Sequence, residues 1–561
     1  MDERLIKSVD VKVQKKSGFD KSHMNLFTTK VGTLTPILCD EVIPNTTTSL
    51  KLNISASLPP LASDTFMRCD LKAEAFFVPA RILVPQYENW LTGTKVANTP
   101  TGNSISEALL PVLQFQTDAP TKPGTLADYL GFRAFESGAT QGSSPQVTML
   151  PFIAYHTIYD EWYRNTLVQK SVFKETFTAN NPGAHIGYYA RNCKNIGLYT
   201  VTNFSANTFA SNNVSAMTLN DGVLLTDLRQ RNFGADYFTT ATPSPQNGAD
   251  QKLTMNLTDG GVNGESITGS TSFTIAALRA ANSMQQFLER NNLAGNRFVD
   301  QLKAQYGATL NSGIAQRPVL LGSASFNVYS KGIAQTSTPG SGVTSGSTNN
   351  PMYSVGSEYG QAKCVGNDFI IKNFTAMEPG YIMVLVSLVP KVTYGTGIRR
   401  YLTHYIADGS QTDMANPILQ NVGNQPIYAY ELGSQAGYIT NPASNPTVFG
   451  YTERYAEYKT CEDEVHGLLR DGQNLASFAL QRTFSGNPTL GTEFITIPTD
   501  YLDQVSAVKG DISKYGVWID SYLDYKQSMP LARYAVPSLQ DPAYEHGVDV
   551  TIPRGGTQIR G

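Results

Sequence analysis

From Leu50 to Leu58 the apolar residues Leu50, Leu52, Ile54, Ala56 and Leu58 alternate with Lys51, Asn53, Ser55 and Ser57. This is the period-2 signature of a strand with one dry and one wet face. After the breaker run Pro59–Asp64 the alternation resumes, with Met67, Cys69, Leu71, Ala73 and Ala75 facing one way and Arg68, Asp70, Lys72 and Glu74 the other. Parallel strands need a long crossover and read as continuous apolar runs. Two successive half-buried strands therefore predict an antiparallel sheet, an opening hairpin and a mainly β fold.

Upstream, residues 1–26 lack periodicity and read as an N-terminal arm, while Phe27 to Ile43 reads as a strand region. Past the second strand, Val84-Pro85 predicts a short helical turn carrying Tyr87, Trp90 and Leu91, since proline suits a first helical turn. Residues 98–150 are loop-rich. From Pro151 to Asn165, Phe152, Tyr155, Ile158, Tyr159 and Trp162 recur at spacings of three and four, which predicts an amphipathic helix with an aromatic stripe turned to the core. Residues 176–225 break into short Asn-, Thr- and Ser-rich pieces, the composition of a surface protrusion, and Asp236–Gln246 returns the chain to order.

A second helical region runs from Thr274 to Tyr306, with Leu278, Ala281, Met284 and Leu288 on one stripe and Phe298, Leu302 and Tyr306 on another, and Gly295 breaking it. Residues 335–361, rich in Gly and Ser, read as a flexible loop. Glu378-Pro379-Gly380 then turns between strands Asp368–Phe374 and Tyr381–Val389, the latter apolar on both faces and so in need of cover from both sides. The expected organisation is the arm, then one β body over residues 27–561 carrying these insertions.

At 561 residues the chain exceeds the size at which one core usually stops growing, which implies several domains or one with long insertions. Only 16% of residues are charged, against about 25% in an average soluble domain. Neighbouring subunits covering the surface would explain this, and so would a β-rich body with long polar loops. A net charge of −3 excludes bulk basicity as a route to nucleic acid, so any such contact must be local. The five cysteines, Cys39, Cys69, Cys193, Cys364 and Cys461, are scattered without a C-x-x-C pair, which fits neither a disulfide scaffold nor a zinc cluster. Met1–Arg4 does not open a secretory signal, and the longest apolar run, Tyr381–Pro390, is too short to span a bilayer, so a protein made in a reducing cytosol without membrane insertion is expected.

No Gly-Lys dipeptide exists, which removes the phosphate-cradling P-loop, and no H-E-x-x-H, G-x-S-x-G or G-x-G-x-x-G pattern occurs. The six histidines are widely separated. Glu453 and Glu457 lie four apart and could in principle serve glycoside hydrolysis, but that spacing is commonplace, and the expected protein has no catalytic residues and no cofactor.

Several segments, in order, are shared with one family: Asp40-Glu41-Val42-Ile43-Pro44; Phe76-Phe77-Val78-Pro79 with Trp90; Ile158 to Arg164; Asp236-Tyr237-Phe238-Thr239 with Pro243-Ser244-Pro245-Gln246; Leu288-Glu289-Arg290; and Gly295-Asn296-Arg297-Phe298. Gln316-Arg317-Pro318, Leu321-Gly322, Thr393-Tyr394, Gly397-Ile398, Gly450-Tyr451 through Lys459, Met529-Pro530 and Val536-Pro537 continue the series. In these the sequence resembles the major capsid protein of the microviruses, small single-stranded DNA bacteriophages, most of all the gokushovirus branch. The resemblance implies an eight-stranded antiparallel jelly roll with long loop and helical insertions. It further implies a small icosahedral shell around circular single-stranded DNA, assembly in the bacterial host cytoplasm, and minor virion and scaffolding partners. Residues 176–225 match no family segment, and the arm lacks a dense basic cluster.

On this reading Lys12, Lys15, Lys16, Arg554 and Arg560, in the terminal segments, are the candidates for phosphate contact, with aromatic faces stacking bases. Tyr451, Tyr455, Tyr458, Tyr522 and Tyr534 are candidates for subunit contact, and equally for core tyrosines. Metal ions at subunit contacts stay open, as does attachment to a host surface receptor through the 176–225 excursion. The rival readings are a carbohydrate-binding or carbohydrate-active β-sandwich protein and a host-recognition protein outside the shell.

Overall fold

Strand alternation decides which face of a strand is dry but not which strand lies beside it, and the pairing is where the fold is made. In the computed structural model the described residues are 16–84, 87–92, 95–97, 105–107, 110, 112–113, 123–132, 147–173, 219, 221–246, 275–295, 297–311, 316–334, 358–403, 423–433, 447–484, 486 and 488–531. The main strands are β1 (Ser17–Asp20), β2 (His23–Thr29), β3 (Thr35–Val42), β4 (Thr46–Ser57), β5 (Cys69–Pro79), β6 (Val319–Ala334), β7 (Glu358–Ala376) and β8 (Gly380–Pro390). A small pair, β9 (Gln425–Tyr428) and β10 (Val448–Thr452), precedes the last long strand, β11 (Val517–Met529).

One four-stranded layer runs β2-β11-β4-β7 and the other β3-β8-β5-β6, every neighbour antiparallel. Among the eight strands from β2 to β8 plus β11, the first, third, sixth and eighth thus form one layer and the second, fourth, fifth and seventh the other. That is the double Greek key of a jelly roll. The far ends of β6 and β7, Tyr329–Ala334 on Glu358–Lys363, pair with each other and curl the two layers into one continuous half-barrel.

The expected opening hairpin does not form. β4 pairs with β11 and β7, β5 with β8 and β6, so two strands stand between them. The breaker run is instead a crossing from one layer to the other, tied at Leu61, whose N–H donates to the Gly360 carbonyl at 2.8 Å, and at Ala62, whose N–H donates to Val505 O at 2.9 Å. The apolar faces of β4 and β5 meet across the core rather than edge to edge: Leu50, Leu52 and Ile54 share one cluster with Leu71, Ala73 and Ala75. Pairing also begins earlier than expected. β1 and β2 lie end to end along β11, so residues 17–26 belong to the sheet and not to an arm. Similarly, residues 358–361, placed in the flexible loop by composition, are paired strand; residues 335–357 fall outside the described set.

β8 is buried on both faces as its composition demands. Ile382, Val384, Val386 and Leu388 enter the core between the layers, while Tyr381, Met383 and Leu385 face a second cluster. That second cluster is roofed by α1 (Leu150–Ile158), which has Pro151 in its first turn and continues as a π-turn over Tyr159–Tyr163. Phe152, Tyr155, Ile158 and Tyr159 of the aromatic stripe pack onto Phe76 and Val78 of β5, as the spacing predicted. At the open edge, Asp40 of β3 reaches the other layer: its carboxylate accepts from Lys21 Nζ (2.6 Å), Tyr525 Oη (2.8 Å) and Gln527 Nε2 (3.0 Å). The second helical region divides at Gly295 into α2 (Ile275–Ala294) and α3 (Phe298–Tyr306), but its stripes are mostly not core, Leu278, Met284, Phe298 and Tyr306 all being exposed.

Candidate assembly and nucleic-acid surfaces

The two layers differ in what lies outside them. The β3-β8-β5-β6 layer is covered by α1, whereas among the described residues the outer face of β2-β11-β4-β7 is open. Register places Met24, Leu26, Trp518, Tyr522, Val365 and Phe369 on that face together with Lys51, Lys363 and Lys526. All six apolar side chains are exposed. In β11 Trp518, Asp520 and Tyr522 are exposed while Val517, Ile519 and Ser521 are buried, so the rings stand on the wet parity of the strand. Lys51 Nζ lies 5.3 Å from the Phe369 ring centroid, and Lys526 Nζ lies 2.9 Å from Asp524. Such a face offers flat rings and ammonium groups side by side, the elements of sequence-tolerant single-strand binding. Only Tyr522 was singled out from the sequence. The signal that could have found the rest is large apolar residues at polar positions of the alternation, as in Trp518.

The other sequence-based candidates scatter. Lys16 is exposed and donates to Thr47 Oγ1 at 3.3 Å. Lys12, Lys15, Tyr534, Arg554 and Arg560 lie outside the described residues, as does most of the 176–225 excursion. Tyr451 is half-buried in β10, its N–H bonded to Thr242 O at 2.8 Å. Tyr458 is exposed, but Tyr455 is only 4% exposed and sits in left-handed backbone at φ +62°. Tyr455 is therefore internal packing and not a contact anchor, because its ring is spent inside its own subunit. Glu453 and Glu457 do not converge: Glu453 lies 3.2 Å from Lys459, while Glu457 accepts from Gln425 Nε2 at 2.5 Å.

A third cluster, built by Tyr237, Phe238, Tyr394, Phe449 and Phe494, carries a cleft of about 460 Å3. Three of its acidic groups, Glu431, Glu457 and Glu464, stand beside arginines. Arg399 Nε donates to Glu464 Oε1 at 2.5 Å, and buried Arg400 stands 3.7 Å from Glu431 and 3.8 Å from Glu457. Glu431 also accepts from Tyr428 N–H (2.9 Å) and Tyr237 Oη (3.1 Å). Burial outweighs these partners and pushes its carboxyl up to about 7 from an ordinary 4.5.

The folded state thus holds this proton at pH values where the unfolded chain has lost it, so stability falls as pH rises from about 4.5 through about 7. Glu431→Gln keeps an acceptor for Tyr428 and removes the titration. Unfolding free energies from urea titrations at pH 5 to 7.5 should decline for the parent chain by up to about 3 kcal/mol and stay flatter for the variant; equal slopes would dismiss Glu431 as the source.

His156 is fully buried, its Nε2–H donating to Leu225 O at 2.8 Å and its Nδ1 accepting from Arg229 Nε at 2.9 Å. Burial first, and the adjacent guanidinium next, hold its pKa well below the usual value, so it is a neutral packing residue. Among the described residues no three His, Cys, Asp or Glu side chains converge as a metal site, and no helix is long and apolar enough to cross a membrane.

An eight-stranded roll with one layer roofed and the other open, bearing wide uncovered apolar surface, is the build of a shell-forming structural subunit of the viral jelly-roll class. Residues 8–539 match the phage F family, Capsid protein (F protein), and the chain belongs to that family. It is 26% identical to capsid protein VP1 of Chlamydia phage 1, covering 94% of this chain and 96% of that one. Against capsid protein VP1 of Bdellovibrio phage phiMH2K it is 24% identical over 93% and 95%, and against capsid protein VP1 of Spiroplasma virus 4 it is 24% identical over 49% and 47%. The chain is therefore a structural capsid protein of the virion that works as a homo-oligomer, and not an enzyme. Neither the family nor the relatives support the carbohydrate reading.

Proposed function

We propose that many copies of this chain close into a small T=1 icosahedral shell around a circular single-stranded DNA genome, assembled in the bacterial host cytoplasm with minor virion and scaffolding partners. The observation that carries the reading is the jelly-roll order of the two layers in a chain whose match to capsid proteins runs almost end to end. Weak contacts repeated around closed symmetry suffice to hold such a shell. The whole roll, with its insertions, is taken as one assembling body. Negative-stain images and light scattering of the purified chain or virion should show uniform hollow particles, and extracted nucleic acid should be destroyed by a single-strand nuclease yet resist exonucleases. Dispersed subunits under every ionic condition would refute the shell, and exonuclease-sensitive nucleic acid would refute the circular genome.

The open face of β2-β11-β4-β7 supports a genome-facing role, because Trp518, Tyr522 and Phe369 can stack bases while Lys51 and Lys363 meet phosphates. The N-terminal lysines are further candidates for phosphate contact in the proposal. Replacing Lys12, Lys15 and Lys16 together by alanine is expected to lower the DNA-to-protein ratio of purified particles several-fold and to leave shell yield unchanged. An unaltered ratio of absorbance at 260 to 280 nm would remove these residues from the genome contact. Host attachment through the 176–225 excursion is a further part of the proposal, open to a receptor-binding assay with that segment deleted.

A further inference from the structure

Among the described residues the α2–α3 hairpin is fixed in place yet almost uncovered. Of the 20 residues of α2 only Asn292 is buried, and none of α3 is. The anchoring gathers at the elbow, with one further bond from Gln285 Nε2 in mid-helix to Gln246 Oε1. Asn292 Nδ2 donates to Thr242 Oγ1 (2.9 Å) and Ser244 O (2.7 Å), and Arg297 Nη2 donates to the carbonyls of Asp160 and Arg164, both at 2.8 Å. Gly295, at φ +97°, makes the turn, and Gln305 Nε2 donates to Asn291 Oδ1 at 2.6 Å to hold the two helices together.

Ile275, Leu278, Met284, Phe287 and Leu293 of α2, with Phe298 and Tyr306 of α3, are exposed by between 44% and 79%. Ala280, Met284, Phe287 and Asn291 follow one another at spacings of four, three and four, on a side of α2 that Asn292 does not share. That 3.5-residue rhythm is the seam by which one helix packs on another. A helix of this length in water is marginal without cover on an apolar face. Of the seven, Met284 and Phe287 stand on this seam; at roughly 150–200 Å2 each with about half of that open they offer on the order of 150–200 Å2 of apolar surface per copy, while the other five lie on other sides of the hairpin.

We propose that this hairpin is a contact between subunits, its Ala280–Met284–Phe287 seam covered by a second copy of the same chain in the shell. The inference rests on the assembly reading above. A second copy is the occupant because cover is needed on every subunit at one-to-one stoichiometry, which a homo-oligomer supplies. The chemistry of α2 disfavours nucleic acid: its charged residues are Arg279, Glu289 and Arg290, and none lies on the seam.

The test places a photoreactive benzoylphenylalanine at Met284 of the full chain and irradiates purified particles. A product of twice the subunit mass that contains only this chain is expected. Cross-linking to another polypeptide or to DNA, or no product at all, would overturn the proposal. In parallel, the Met284→Lys, Phe287→Asp double variant should give subunits with the parent circular dichroism spectrum and a particle yield at least tenfold lower; parent yield would overturn the proposal just as decisively. Should the unmodified chain form no particles, the assembly reading fails first and this inference with it. If parent particles form and only the cross-link is missing, the hairpin alone is wrong.

Discussion

Gly322→Val should abolish recovery of soluble, assembly-competent subunit, whereas Leu320→Val, two positions earlier on the same strand, should leave it intact. Gly322 stands at the register shift of β6, and a Cβ built there would lie 2.1 Å from the carbonyl oxygen of Ile370 on β7. Ordinary contact begins near 3.4 Å, and the obstacle is backbone, so no side chain can swing aside. β7 has its own register shift between Phe369 and Ile371, which means that two irregular strands touch where the layers curl into each other. Parting them by about 1 Å would unseat the inner faces of both layers. Even Gly322→Ala should cost about 3 kcal/mol or more, against a usual total of about 5–15 kcal/mol. The measurement is the soluble fraction together with the urea midpoint of the dissociated subunit. A Gly322→Ala midpoint equal to the parent's would mean that the two strands are not in backbone contact.

Tyr155→Ala should be nearly as damaging, by a different route. Its ring is completely buried under α1, its hydroxyl donates to Leu34 O at 2.7 Å and accepts from Arg229 N–H at 2.8 Å, and it packs edge-on against His156. Removing the ring leaves a cavity and two orphaned backbone groups, about 4 kcal/mol in total. Tyr155→Phe keeps the volume and loses only the bridging hydroxyl, about 1–2 kcal/mol. Measuring both by urea unfolding separates packing from hydrogen bonding. A loss below about 1 kcal/mol for the alanine variant would show that α1 is not a packed third layer.

Much of this fold was readable from local pattern. The alternation in β4 and β5, the two-sided apolar run of β8 and the aromatic stripe of α1 each state how a segment meets solvent, and all three proved so placed. What alternation does not encode is the neighbour. Leu52 is equally dry whether its strand lies beside β5 or across the core from it, so the hairpin expectation failed while the burial expectation held. The candidate surfaces were legible only in part, for a related reason. An apolar stripe such as Leu278–Met284 reads the same whether its own subunit or another covers it, and Tyr455 and Tyr458, three apart, lie on opposite sides of the surface. The family resemblance implied the jelly roll that periodicity could not, and the strand pairing gives its layer order.

The pairing of β2 with β11 joins groups 496 positions apart, as in the bond from Ser521 Oγ to Asn25 O. A ribosome must therefore add about 460 residues after β4 before the β4 edge receives its β11 partner. At about 5–20 residues per second the interval is roughly 25–90 s. During that time β4 exposes an unpaired strand edge and a row of leucines, the condition that invites chaperones and premature association. Closure of the roll by β11 therefore delays maturation of each subunit until that strand has emerged, an interval in which premature association competes with folding.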